Sequence, residues 1–252
     1  TPSGRNILRD APKDHVHHHG LMFAISVNGC NFWEEFNKKY GKQITVTINP
    51  KQDNKNPKQD DKKTPDDTDS LVSELDWTDG GGKILLKEER KISVQKESDV
   101  TLLDWVTTLK TQDQKAILDK SNHHYFGLGM RFVESMDKSG QFFTDNEKNK
   151  FDIVRTDDRL TLCRWVAYRA KLGDAPVTVA IFGHKENPIP TMAFTKGESR
   201  SYAYLGITLN LHRKPVEMKP NSSLTFRYRV AVWDGEVKPE TIENAFLKYA
   251  QR

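Results

Sequence analysis

Cysteine is nearly absent: Cys30 and Cys163 are the only two in 252 residues, far apart and without CxxC spacing. Two cysteines are no disulfide framework, so they read as small hydrophobes, with one disulfide open to them in an oxidising compartment. Long apolar runs are missing too. Nothing approaches the roughly 20 residues needed to span a bilayer, and no signal-like apolar stretch follows Thr1. A processed export signal would leave the same start, so the compartment stays open, with a periplasmic or secreted location preferred. No single sign of charge dominates: 39 basic and 35 acidic residues leave +4, spread along the chain. Without a concentrated basic stripe, nucleic acid is not an expected partner, and neither is a membrane. The chain also lacks a Gly-x-Ser-x-Gly elbow, a P-loop and a dinucleotide fingerprint.

What is present is a chain long enough to bury a substantial core, patterned mostly for strands. Ile44 to Ile48 alternates apolar and polar with period two, as a half-buried strand does. In Leu224 to Trp233, Leu224, Phe226, Tyr228, Val230 and Val232 share one face. Thr225, Arg227, Arg229 and Ala231 share the other. Val177 to Phe182 reads as a core strand, and further strands are expected over 83–94, 100–109, 127–134 and 160–168. Helix signals concentrate at the C-terminus. Pro239 suits a first turn, Ile242, Ala245, Phe246 and Tyr249 recur at helical spacing, and acidic residues precede basic ones as the helix dipole favours. Asn49 to Ser70 holds only polar residues and proline, so it is expected to be a solvated loop inserted between strands. These patterns predict an all-β, mostly antiparallel fold with a C-terminal helix, in a single domain over 1–252.

The chemistry concentrates near the N-terminus. Asp14-His15-Val16-His17-His18-His19-Gly20 holds four of the eight histidines. Imidazole is a common ligand of divalent metals and the side chain best suited to proton transfer near neutral pH. In a strand, His15, His17 and His19 would face one side and His18 the other. A structural hydrogen-bond network is the plain alternative. His123 and His124 precede Arg131, and His184 ends the Val177–Phe182 strand in a Gly/Asn/Pro loop, placed to line a pocket mouth. Asn28-Gly29 signals a tight turn. Trp33, Trp165 and Tyr168 offer aromatic faces suited to sugar rings, although such residues are more often core.

Several of these segments jointly resemble one family. Asp14 to Leu21, Val27 to Trp33, Arg164 to Tyr168, Val179 to Pro188 and Leu224 to Gly235 are similar, in order, to motifs of the family labelled "methane oxygenase PmoA-like", whose function is not established. His19 stands where that pattern has Arg, and Asn31 and Ala167 where it has Asp. The family's pattern also carries strands ahead of the position of Thr1, so the chain is expected to start inside it. A mean hydropathy of −0.73 does not fit the membrane subunit of that name. The resemblance implies instead a large β-sandwich similar to the galactose-mutarotase supersandwich, and a place in carbohydrate metabolism.

The resulting expectation is a carbohydrate-active enzyme: a hydrolase, lyase or epimerase with a carbohydrate ligand. His17, His18 and His184 would serve as acid/base groups sharing one pocket. Arg131 would hold a carboxylate or stabilise developing negative charge. Asp14, Asn28, Trp33, Trp165, Tyr168 and Asn187 would bind substrate. The cofactor is either none or a divalent metal on some of His15, His17, His18 and His184. The rival reading is a non-catalytic carbohydrate-binding or structural protein.

Overall fold

The computed structural model describes residues 1–34, 39–51, 69–119, 124–138, 140–146, 152–155, 158–196 and 202–251. Of the polar loop expected at 49–70, residues 49–51 and 69–70 are instead paired strand, and 52–68 lie outside the described residues, as does His123. Among the described residues, eighteen strands form three antiparallel sheets. The largest runs β10 (Gln141–Thr144), β13 (Trp165–Leu172), β14 (Ala175–Gly183), β18 (Ser223–Asp234), β7 (Val100–Lys110), β6 (Ile84–Lys96), β5 (Asp69–Thr78) and β4 (Lys42–Lys51). The second runs β1 (Leu21–Ala24), β9 (Gly127–Arg131), β16 (Tyr204–Thr208), β15 (Met192–Lys196), β12 (Asp158–Leu162) and β11 (Asp152–Arg155). A small sheet of β17 (Val216–Met218), β8 (Ala116–Leu118), β2 (Ser26–Val27) and β3 (Cys30–Asn31) completes the set.

The two larger sheets pack face to face, and the two-residue period decides what lies between them. On β9, Leu128, Met130 and Phe132 just beyond it turn inward, where Phe132 stacks on Tyr168 of β13 at 5.0 Å. On β18, Phe226, Tyr228, Val230 and Val232 meet the same core. The opposite face of the eight-stranded sheet carries Phe182, Ala231, Trp233 and Trp165, covered by helix α1 (Pro239–Ala250). That helix starts on Pro239, holds Glu240 in its first turn and Lys248 in its last, and buries Ile242, Phe246 and Tyr249. Each such side chain contributes about 1.5–3 kcal/mol of burial.

Three expectations change. Residues 160–168 are not one strand: β12 ends at Leu162 and β13 begins at Trp165. The strand expected over 127–134 ends at Arg131, and Glu134–Met136 form a 3-10 turn. Ile44, Val46 and Ile48 are 48%, 56% and 58% exposed, because β4 is the last strand of the larger sheet and stands apart from its packed centre. Cys30 and Cys163 are free thiols.

Candidate functional site

The histidine segment is a closed loop rather than a strand. His15 N–H donates to Pro12 O at 2.9 Å and His18 N–H to His15 O at 2.9 Å, two successive turns, and Ala11 N–H returns to His18 O at 2.8 Å. An isolated bridge pairs Asp10 with His19 where the chain enters β1. The turns break strand alternation, so His15, His17 and His18 converge instead of splitting between two faces. Their ring centroids lie 4.6–5.7 Å apart. His19 turns away, its Nδ1 2.8 Å from Asp10.

This cluster rests on the outward face of the six-stranded sheet. Gly129, Arg131, Tyr204 and Gly206 share that face by register, with Arg131 opposite Tyr204 and Gly129 opposite Gly206. A Cβ on Gly129 would collide with the Tyr204 hydroxyl, so glycine at 129 is what lets the Tyr204 ring lie flat on the sheet. The His18 ring lies 5.7 Å from Tyr204 and 6.3 Å from Trp33, while Trp33 lies 6.1 Å from Tyr204. Three buried polar atoms in this group, His18 Nδ1, Trp33 Nε1 and Tyr204 Oη, have no hydrogen-bond partner among the described residues.

Arg131 organises the cluster from beneath. It is 1% exposed; its Nη2 donates to Asp14 Oδ2 at 3.1 Å and its Nη1 to Asp137 Oδ1 and Ala203 O at 3.4 Å. Its guanidinium stacks 4.1 Å from the Tyr202 ring. Asp14 Oδ2 also meets His15 Nδ1 at 3.0 Å, so one carboxylate oxygen joins Arg131 to His15. Burial works to raise the Asp14 pKa, but the His15 hydrogen bond and the Arg131 charge outweigh it and hold it low. Burial raises that of Asp137 despite the Ala203 N–H and Arg131. Burial, reinforced by His17, His15 and Arg131 and opposed by Asp14, pushes His18 down to about 2, so its ring is neutral.

Beside the cluster, and sharing His17 and Trp33 with it, a groove of about 620 Å³ opens along edge strand β1, towards β4, β6 and β7. Aromatic rings of Phe32, Tyr40 and Trp105 line it with the polar groups of Lys42, Gln43 and Arg90. Among the described residues no aspartate or glutamate lines it, although Glu34 accepts a hydrogen bond from the lining Tyr40. The groove's polar groups are held in place. Gln43 Nε2 donates to Phe23 O at 2.9 Å, and its Oε1 accepts from Arg90 at 2.6 Å. Arg90 grips both carboxylate oxygens of Glu88 at 2.8 Å and lies 4.8 Å over Trp105. The Glu88 side chain is fully buried and also accepts from Trp77 Nε1 at 2.8 Å and Thr107 Oγ1 at 3.1 Å.

The structure thus joins His15, His17, His18, Arg131, Asp14 and Trp33, and it separates the other expected residues from them. His184 does not share their pocket. It follows Phe182 and Gly183 at the end of β14, so alternation turns it to the helix-covered face, 5.3 Å from the Tyr249 ring. Two packed sheets stand between that face and the histidine loop. Its Nδ1 accepts from Glu186 N–H at 3.2 Å, and burial lowers its pKa against the pull of Glu186. Asn187 clamps the Arg227 backbone through both amide atoms at 3.0 and 2.7 Å. Trp165 lies under the helix, its Nε1 donating to Glu243 at 2.7 Å. Tyr168 is sandwiched in the core between Phe132 and Phe142, its hydroxyl on Met136 O. Asn28 makes the tight turn with Gly29, at φ 50° and 78°, and ties it to Ile117. All four are structural in their contacts, because each side chain's polar atoms or rings are spent within the fold.

The metal reading does not fit the residues present. Among the described residues no three His, Cys, Asp or Glu side chains gather as a set able to hold an ion. His15 and His18 stack face to face at 24° rather than aiming nitrogens at a common point, as zinc ligation requires. Sequence reasoning missed Tyr202, Asp137, Glu88 and Arg90. The last two alternate on β6 beside Lys87 and Glu89 and look there like a solvated charged strand.

A family model matches residues 1–247, described as a family of unknown function (DUF6807). That description carries no methane-oxygenase label, and no helix among the described residues is long and apolar enough to cross a membrane. No curated protein matches the sequence. Among solved structures, the GH36 α-galactosidase AgaB of Geobacillus stearothermophilus is similar with TM-score 0.52 and 10% identity, over 84% of this chain and 30% of that one. A variant of AgaA from the same organism, solved with stachyose, gives the same values. A galactose mutarotase related enzyme of Lactobacillus acidophilus gives TM-score 0.44 and 10% identity, over 93% of this chain and 90% of that one. The chain spans less than a third of the galactosidases' length, and at such identities the likeness is one of fold: a β-sandwich domain found in carbohydrate-active enzymes.

Proposed function

The chain belongs to DUF6807, a family of unknown function, and from the site itself we propose that it binds a carbohydrate in the β1 groove and acts on it by histidine acid–base chemistry. The observation that carries this reading is the groove. Its volume suits a small ligand, and its walls combine aromatic rings with a few fixed hydrogen-bonding groups, as sugar recognition requires. His17 belongs to both groove and cluster, which supplies a proton-transfer group at the ligand. His15, held on Asp14, is the second such group, because a carboxylate on Nδ1 fixes the ring's orientation and tautomer. Arg131 is a positioning residue that orients Asp14.

The reaction type follows from what lines the groove. Hydrolysis of a glycoside by the common route uses two carboxyl groups flanking the scissile bond. Among the described residues lining the groove there is none, Glu34 is engaged by Tyr40, and Glu88 behind the wall is saturated by Arg90, Trp77 and Thr107. Histidine-driven proton abstraction, in a lyase or epimerase, therefore fits better than hydrolysis. That same absence of carboxylates favours a second reading, a binding protein without turnover. A panel of oligosaccharides, followed by calorimetry for binding and by NMR for conversion, separates the two. Conversion that His17→Gln abolishes while binding persists supports the enzyme. Binding without conversion supports the second reading, and no binding by any sugar refutes both.

A further inference from the structure

We infer that the ligand of this groove is an anionic carbohydrate, one carrying a carboxylate or a sulfate ester that docks between Lys42 and Arg90. The inference rests on the carbohydrate reading above and names its substrate class. Among the described residues, the ionisable side chains lining the groove are Lys42, Arg90, His17, His19 and Tyr40, and none of these is a carboxylic acid. An anion docking beside Lys42 and Arg90 therefore meets cations and hydrogen-bond donors. The described acids next to these lining residues are already engaged: Glu88 is fully buried behind Arg90, Asp10 is held on His19 at 2.8 Å, and Glu34 accepts a hydrogen bond from Tyr40.

The Arg90–Glu88 pair sharpens the case rather than cancelling it. Glu88 takes four donors, from Trp77, Thr107 and two nitrogens of Arg90, and none of its surface reaches solvent. The guanidinium is left partly exposed in the groove wall, so the pair presents its positive end to the ligand. Arg90 is also rigid. Glu88, Gln43 and the Trp105 ring fix it from three sides, and a preorganised guanidinium binds carboxylate or sulfate with little entropy left to lose. Trp33 and Trp105, 2% and 4% exposed, back the wall, and Tyr40, the least buried aromatic of the lining, offers a face to the sugar ring. Lys42, exposed at the end of β4, adds an unburied charge at the groove mouth.

The test is isothermal titration calorimetry of the whole protein with three oligosaccharides of equal length: an oligogalacturonate, a sulfated galactan fragment and a neutral galacto-oligosaccharide. At least one acidic probe should bind about tenfold or more tightly than the neutral one. That preference should shrink as salt rises, and which acidic probe wins tells carboxylate from sulfate. Lys42→Ala should narrow the acidic-over-neutral preference at least about threefold. Arg90→Gln alone strands Glu88, so it is paired with Glu88→Gln, and the double variant, checked for native circular dichroism, should remove most of the preference. Equal or tighter binding of the neutral probe overturns the anionic assignment while the carbohydrate reading stands. Binding of none overturns both. A preference unmoved by salt and by Lys42→Ala also overturns the assignment.

Discussion

Replacing His18 with glutamine should flatten the acid side of this protein's stability profile. The His18 ring is 5% exposed, and burial first, then the charges of His17, His15 and Arg131, hold its pKa at about 2 against an ordinary 6.5, with Asp14 opposing. The folded value lies below the unfolded one. The native ring therefore stays neutral while the unfolded ring takes up a proton below about pH 6.5, and stability is lost as pH falls through that range. From pH 7 to pH 5 the unfolded state gains about 1.9 kcal/mol from this one group. That is a sizeable share of a typical 5–15 kcal/mol. Glutamine keeps a polar amide in the space and does not titrate. Urea unfolding midpoints at pH 7, 6 and 5 measure the difference, and groups that titrate in both proteins cancel to first order. The wild type should lose about 1.9 kcal/mol more than His18→Gln across that interval. Parallel profiles would show that the ring is not held neutral, and the burial argument would fail.

Arg131→Met should cost about 3 kcal/mol, because it strips buried Asp137 of its buried partner and leaves it only Arg9 at 3.8 Å; adding Asp137→Asn should recover part of the loss in thermal melts. His184→Ala should leave sugar affinity unchanged, whereas His17→Ala should weaken it, since His17 lines the groove and His184 faces Tyr249; equal losses in calorimetry would refute that placement. Phe246→Ala removes the ring that packs 5.9 Å from Phe182 and should cost about 3–5 kcal/mol, with amide exchange rising first along α1.

Period-two patterning in the sequence was enough to name the β-class and much of its detail. Leu224, Phe226, Tyr228, Val230 and Val232 were legible as one face of a strand, and the structure puts Phe226, Tyr228, Val230 and Val232 in the core with Leu224 packed against it. The terminal helix was legible from Pro239 and its apolar spacing, and the Asn28–Gly29 turn from its dipeptide. The histidine cluster was legible as a concentration of chemistry. What alternation cannot say is which face of a strand meets another layer. Ile44, Val46 and Ile48 alternate like core residues but sit on an outermost strand, and His184 ends a core strand but turns towards the helix. The groove is another such case, since Glu88, Arg90, Gln43 and Trp105 come from three strands and look like surface or core residues one at a time. The sequence by itself determined local geometry, because propensity and periodicity act between near neighbours. The tertiary structure alone decided the site, because register and sheet packing set which distant side chains share a low-dielectric space, and that sharing made His18 neutral and left Arg90 facing the groove.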